Sequence, residues 1–169
     1  GLGGCFGRHR LAGFLEFGRR LGCGHDTFAA TGLDEALTGL LAATGLDDAL
    51  AAIEFMRSRH GAYPLWLAGF SFGAAIAVRA AVATHIDGLI SVAPAISRFA
   101  SGLESQPECP WLIIQGDVDE LVDVEETVTW VDSLEPGPEL LIINGGEHFF
   151  HGRLTELRQA VMDFVADSQ

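Results

Sequence analysis

The sequence predicts an α/β fold with a parallel sheet, and three observations carry that prediction. Apolar runs recur at 64–70, 88–95, 110–117 and 139–146, and each ends in Gly, Asp, Pro or Ser. Hydrophobicity within these runs is continuous, not alternating, as in strands covered on both faces. The stretches 73–84, 123–134 and 152–166 carry helical periodicity or helix-forming composition, so strands and helices alternate as parallel pairing requires.

Taken in order, residues 1–62 read as a helical segment without a convincing buried strand. Helical patterns lie at 9–22, 33–42 and 46–60. A near-repeat, ATGLDEAL at 30–37 and ATGLDDAL at 43–50, places Thr31 and Thr44 where each would cap a helix, with Asp34 and Asp47 in the reciprocal position. Two similarly capped helices are expected there, not a solenoid, which needs at least three units. PLWLAGF, GLISVAPA, PWLIIQGD and ELLIINGG then read as about four strands in sequential order, with 96–109 largely loop. At 169 residues the chain suits a single domain over 1–169, with 1–62 helical and 63–169 forming the α/β core.

Composition narrows the partners. The formal net charge is −13 and Lys is absent, which disfavours electrostatic capture of nucleic acid or an anionic membrane. No apolar run approaches the roughly 18 residues of a membrane span. The three cysteines, Cys5, Cys23 and Cys109, match no zinc-ligand spacing and are read as reduced thiols of a cytoplasmic protein. The chain begins at Gly1 without a recognisable signal peptide, as a fragment or processed product would.

Chemistry concentrates where the first strand becomes a helix, at Gly69-Phe70-Ser71-Phe72-Gly73. In a strand–turn–helix context this is a nucleophile elbow, with the serine in a tight turn and glycines relieving collisions. The helix N-terminus and the Phe72 N–H would favour an oxyanion beside the Ser71 hydroxyl. A serine is a poor nucleophile at neutral pH and needs a histidine base held by a carboxylate. Asp117, Asp119, Glu120 and Asp123 follow the third strand, and His148 and His151 follow the fourth. Each is weak evidence alone. Complementary residues in the order Ser, acid, His, at the ends of successive strands, are far more specific.

With those residues quoted, residues 64–165 resemble the α/β-hydrolases, specifically the small lidless bacterial group of predicted hydrolases and esterases. A weaker likeness reaches back to LDDALAAIEFMRSRH at 46–60. The resemblance implies a partial three-layer α/β-hydrolase-like sandwich. It implies Ser71 as nucleophile, Asp119 as acid in a Gly-x-x-Asp turn starting at Gly116, and His148 as base. Asp117 and His151 stay as alternative acid and base. The N-terminal third lacks the family's upstream strands and the loop that supplies a second oxyanion donor. The elbow strand would then be an exposed apolar edge, open to another subunit.

The expected function is serine hydrolysis of a small ester or thioester, with no metal or organic cofactor. A catalytically weak or inactive remnant that binds or oligomerises is the other reading. Phe70, Phe72, Phe149 and Phe150 are expected to give the site apolar surroundings.

Overall fold

The computed structural model describes residues 33–61, 63–96 and 105–168. Their elements run α1 (Leu33–His60), β1 (Trp66–Phe70), α2 (Phe72–Ala83), β2 (Gly88–Val92), β3 (Trp111–Gly116), α3 (Val124–Asp132), β4 (Glu139–Ile143) and α4 (Leu154–Asp167). The expected strands are all present, each trimmed to its apolar centre. GLISVAPA stops at Val92, where Ala93 adopts φ 43° and Pro94 follows. The helical pattern at 9–22, and most of the loop at 96–109, lie outside the described residues.

The four strands form one parallel sheet in the order β1-β2-β3-β4. Sequential order with right-handed crossovers sends the connecting helices to one face, leaving the other for α4. The core divides accordingly. Leu67, Leu89, Trp111, Ile113 and Leu140 face α1, α2 and α3 with Ile53, Ala77, Ala80 and Val131. Trp66, Ala68, Ile90, Val92, Leu112, Ile114 and Ile143 face α4 with Leu157, Val161 and Phe164. The two sets alternate along each strand, which is why apolar residues occupy both faces of these runs, with Ser91 and Gln115 as buried polar exceptions.

The N-terminal reading needs correction. The two helices expected at 33–42 and 46–60 are one continuous α1, so Thr44 lies inside a helix and is not an N-cap, while Thr31 is outside the described residues. Tertiary packing supplies the reason: Gly45 is buried, and a Cβ there would sit 3.4 Å from the Ile76 side chain of α2. A glycine that looked like a break admits close helix–helix approach. Among the described residues β1 ends the sheet on one side and β4 on the other. The helix α1 packs on the face of the sheet and does not extend it past β1.

Candidate active site

The site lies at the carboxyl edge of the sheet, where loops after β1, β3 and β4 converge. Ser71 joins β1 to α2 at φ 52° and ψ −118°, a region that costs a non-glycine residue of order 1–3 kcal/mol. The conformation persists because neighbours pin it: the Ser71 N–H donates to the Val92 carbonyl at 2.8 Å, and the Ala74 N–H donates to the Ser71 carbonyl at 3.1 Å. Although Ser71 occupies the N-cap position of α2, its hydroxyl makes no capping bond. Gly69 is required by contact, since a Cβ there would meet the Gly73 carbonyl oxygen at 2.3 Å. Gly73 is different from expectation, because its own Cβ would meet nothing within 4 Å among the described residues. Among those residues the collision belongs to Gly69. Ala74, Ala75 and Ala77 are buried, and their small size lets α2 lie close on the sheet.

A second close approach joins the other two loops. A Cβ on Gly116, at the end of β3, would lie 2.1 Å from the Gly146 carbonyl oxygen, so the turns after β3 and β4 touch backbone to backbone. The Val118 N–H donates to the Gly146 carbonyl at 3.2 Å and the Gly145 N–H donates to Asp117 Oδ1 at 2.6 Å.

That contact brings Asp119 to His148. His148 Nδ1 lies 2.9 Å from Asp119 Oδ2, and His148 Nε2 lies 3.1 Å from Ser71 Oγ. The side chains of His148 and Asp119 are 3 % and 0 % exposed. A carboxylate facing Nδ1 can only accept, which places the neutral ring's proton on Nδ1 and leaves Nε2 to accept from the serine hydroxyl. The Asp119 carboxylate also accepts from Gln115 Nε2 at 2.9 Å, the Leu121 N–H at 2.9 Å and the Val122 N–H at 2.8 Å. Its lone pairs are thereby filled without solvent. Phe70 and Phe149 pack against the imidazole with ring centroids 5.0 and 5.1 Å away.

The other candidates have different work. Asp117 is exposed and tied to the Gly145 N–H. Asp123 caps α3 by accepting from the Glu125 and Glu126 N–H groups at 2.8 and 3.1 Å. His151 points to solvent, 3.3 Å from Glu147, with 74 % of its side chain exposed. Of the phenylalanines, Phe150 is buried in the core beside Ile143 and Phe72 packs near Ala75 and Ile76, so Phe70 and Phe149 supply the aromatic wall. Phe72 opens α2 directly after Ser71. Among the described residues no strand precedes β1.

Two contacts were not anticipated from sequence. Glu120 Oε2 accepts from the His148 backbone N–H at 3.1 Å, bracing the histidine loop from the β3 side. Gln115 is fully buried, with Nε2 on Asp119 and Oε1 without a hydrogen-bond partner among the described residues. An orphaned buried oxygen costs roughly 1–3 kcal/mol. The available signal was a polar side chain inside the apolar run WLIIQG, because a buried amide requires a partner.

Among the described residues, no group of three or more His, Cys, Asp or Glu side chains could hold a metal ion. None of the described helices is long and apolar enough to cross a membrane. Cys109 is free and half-buried; burial pushes its thiol pKa up, a backbone hydrogen bond opposes this and Asp87 adds to the rise.

A parallel sheet with a serine elbow after one strand and loop acid and histidine after later strands defines the α/β serine hydrolase class. The comparisons agree. The family model for S33 serine aminopeptidases (Hydrolase_4) matches residues 42–104. A lidless α/β serine hydrolase from Xanthomonas campestris is 41 % identical over 72 % of this chain and 56 % of its own, with a TM-score of 0.68. An α/β serine hydrolase homologue from Coxiella burnetii is 35 % identical over 82 % of this chain and 62 % of its own, with a TM-score of 0.66. An uncharacterised Rickettsia prowazekii protein is 26 % identical over 70 % of this chain and 54 % of its own length. Over about 70 % of its length this chain has the α/β-hydrolase fold and is similar to α/β serine hydrolases, and it spans a little over half the length of these relatives.

Proposed function

We propose that this protein is a serine hydrolase that cleaves a small ester or thioester through an acyl-enzyme. The observation that carries the reading is the continuous chain from Ser71 Oγ through His148 to the enclosed Asp119 carboxylate. Ser71 Oγ attacks the substrate carbonyl carbon while His148 Nε2 takes the hydroxyl proton, and the carbonyl π electrons move to oxygen. Collapse of the tetrahedral adduct expels the alkoxide or thiolate, which receives the proton from His148. Water repeats the cycle on the acyl-enzyme, releasing a carboxylic acid and free serine. Asp119 orients the ring and stabilises the imidazolium. The Phe72 N–H, at the start of α2, is the proposed backbone donor to the oxyanion, helped by the helix dipole.

Support for an apolar acyl group comes from the aromatic wall of Phe70 and the half-exposed Phe149 beside the histidine. The test is intact-mass analysis after treatment with a fluorophosphonate probe, with peptide mapping and a heat-unfolded control. Adduct on Ser71 in the folded chain alone is expected. A folded chain that takes no label overturns the reading in favour of an inactive relative.

A further inference from the structure

We propose that Gln115 is a positioning residue that orients the Asp119 carboxylate and sets how strongly it holds the His148 imidazole. The inference rests on the triad reading above.

Gln115 lies on β3 just before the Gly116 turn, fully buried, with Nε2 2.9 Å from Asp119 Oδ2. That same oxygen receives His148 Nδ1 at 2.9 Å, so amide and imidazole share one acceptor. The other oxygen receives the Leu121 and Val122 N–H groups and also lies 3.0 Å from His148 Nδ1, so the imidazole faces both oxygens while the amide faces Oδ2. Because a carboxylate can only accept, the amide must face it with nitrogen, which turns Oε1 toward a place where it has no partner among the described residues. An apolar residue in this core position would avoid that unmet oxygen. The arrangement accepts it, and what the amide contributes is a donor aimed at the acid.

A donor on Oδ2 spreads the carboxylate charge. Removing it leaves the imidazole as the remaining partner of that oxygen among the described residues, and the more basic carboxylate then holds a protonated ring more tightly. Other ionisable groups near the ring are Glu120, which accepts from the His148 backbone N–H, and Glu147, which pairs with His151 in solvent. Neither contacts Gln115 in the hydrogen-bond pattern.

The experiment follows the His148 imidazole by NMR across pH in the wild-type chain, in Gln115→Met, which keeps the side-chain length without the donor, and in Gln115→Glu, which sets a second carboxyl group against Asp119. The midpoint should rise by about half a pH unit or more in Gln115→Met, the scale of losing one hydrogen bond to a charged group. Gln115→Glu, whose buried carboxyl group keeps its proton beside the Asp119 carboxylate and so still donates, should hold the midpoint nearer to wild type. The acid limb of fluorophosphonate labelling at Ser71 should move with the midpoint. An unchanged midpoint in folded Gln115→Met overturns the proposal, as does a fall in melting temperature without a change in midpoint. If the midpoint moves but wild-type Ser71 never labels, the Gln115 role stands and the catalytic reading of the triad fails.

Discussion

Gly116 and Gly146 meet backbone to backbone, with only 2.1 Å between the position of a Cβ on Gly116 and the Gly146 carbonyl oxygen. The contact sets the distance between the loop that carries Asp119 and the loop that carries His148. Side-chain hydrogen bonds finish what this backbone contact begins, with His148 Nδ1 2.9 Å from Asp119 Oδ2 at this loop separation.

Gly116→Ala should therefore separate acid from base. A methyl group against backbone has no flexible neighbour to displace, and overpacking of this kind typically costs about 1–3 kcal/mol. Labelling at Ser71 should slow by more than the loss of stability explains. Gly73→Ala supplies the contrast: its Cβ meets nothing within 4 Å among the described residues, so melting temperature and labelling should stay near wild type. Both are read by thermal denaturation and probe kinetics, and equal effects at the two glycines would contradict the geometry.

Substitutions in the triad should separate the bonded residues from their neighbours. Ser71→Ala should lower turnover of a substrate by as much as ~10⁶, and Asp119→Asn by ~10⁴, the scale seen when such groups act as a unit. His151→Asn should leave turnover unchanged, since that ring lies in solvent against Glu147. Asp117→Asn should have a small effect, through the loop contact with the Gly145 N–H. Steady-state kinetics on a small aryl ester would check the order, and a large loss from His151→Asn would move the base assignment there.

Much of this site could be read from the sequence because its parts obey local rules. A serine between glycines at a strand-to-helix boundary is a local pattern, and Asp119 and His148 follow strands whose apolar runs are continuous. The helix boundary at Thr44-Gly45 was not legible, since the packing of Gly45 on Ile76 is a contact made 31 residues away in sequence. Gly73 was misjudged for a related reason: the motif names two glycines, but sterics demand the one facing the Gly73 carbonyl, which is Gly69. Gln115 escaped notice because its partner is defined by the Gly116 turn and not by a periodic pattern.

Glu120 braces the histidine loop through the backbone, so its loss should act on position and not on charge transfer. Glu120→Ala removes the acceptor of the His148 N–H and should slow labelling several-fold while costing only about 0.5–1.5 kcal/mol, because the carboxylate is solvent-exposed. Glu120→Gln keeps an acceptor oxygen and should restore most of the rate. Failure of that rescue would show that the charge, not the hydrogen bond, is what matters.

Cys109 bears on any labelling experiment, because a reactive thiol would compete for electrophiles. Burial holds its thiol pKa above the ordinary value, with Asp87 adding to the rise, so the thiolate fraction near neutrality is smaller than for a free cysteine. Alkylation of Cys109 by iodoacetamide at pH 7, followed by peptide mapping, should be slower in the folded chain than in the urea-unfolded chain. The difference should narrow as pH rises past the folded thiol's pKa. Equal rates at pH 7 would show that the thiol is not held protonated.

The backbone of Ser71 offers the last test, since a side chain at φ 52° and ψ −118° is held against its own preference. Ser71→Ala removes the hydroxyl and keeps the Cβ, so it keeps the strain. Ser71→Gly removes both, at the expense of greater freedom in the unfolded chain, which opposes it by roughly 0.5–1 kcal/mol. With strain of about 1–3 kcal/mol relieved, the glycine variant should be the more stable of the two by about 1 kcal/mol. Chemical denaturation of both inactive variants measures that difference without reference to any substrate. A glycine variant no more stable than the alanine variant would mean that the elbow stores no strain, and that Ser71 stands where it does without cost.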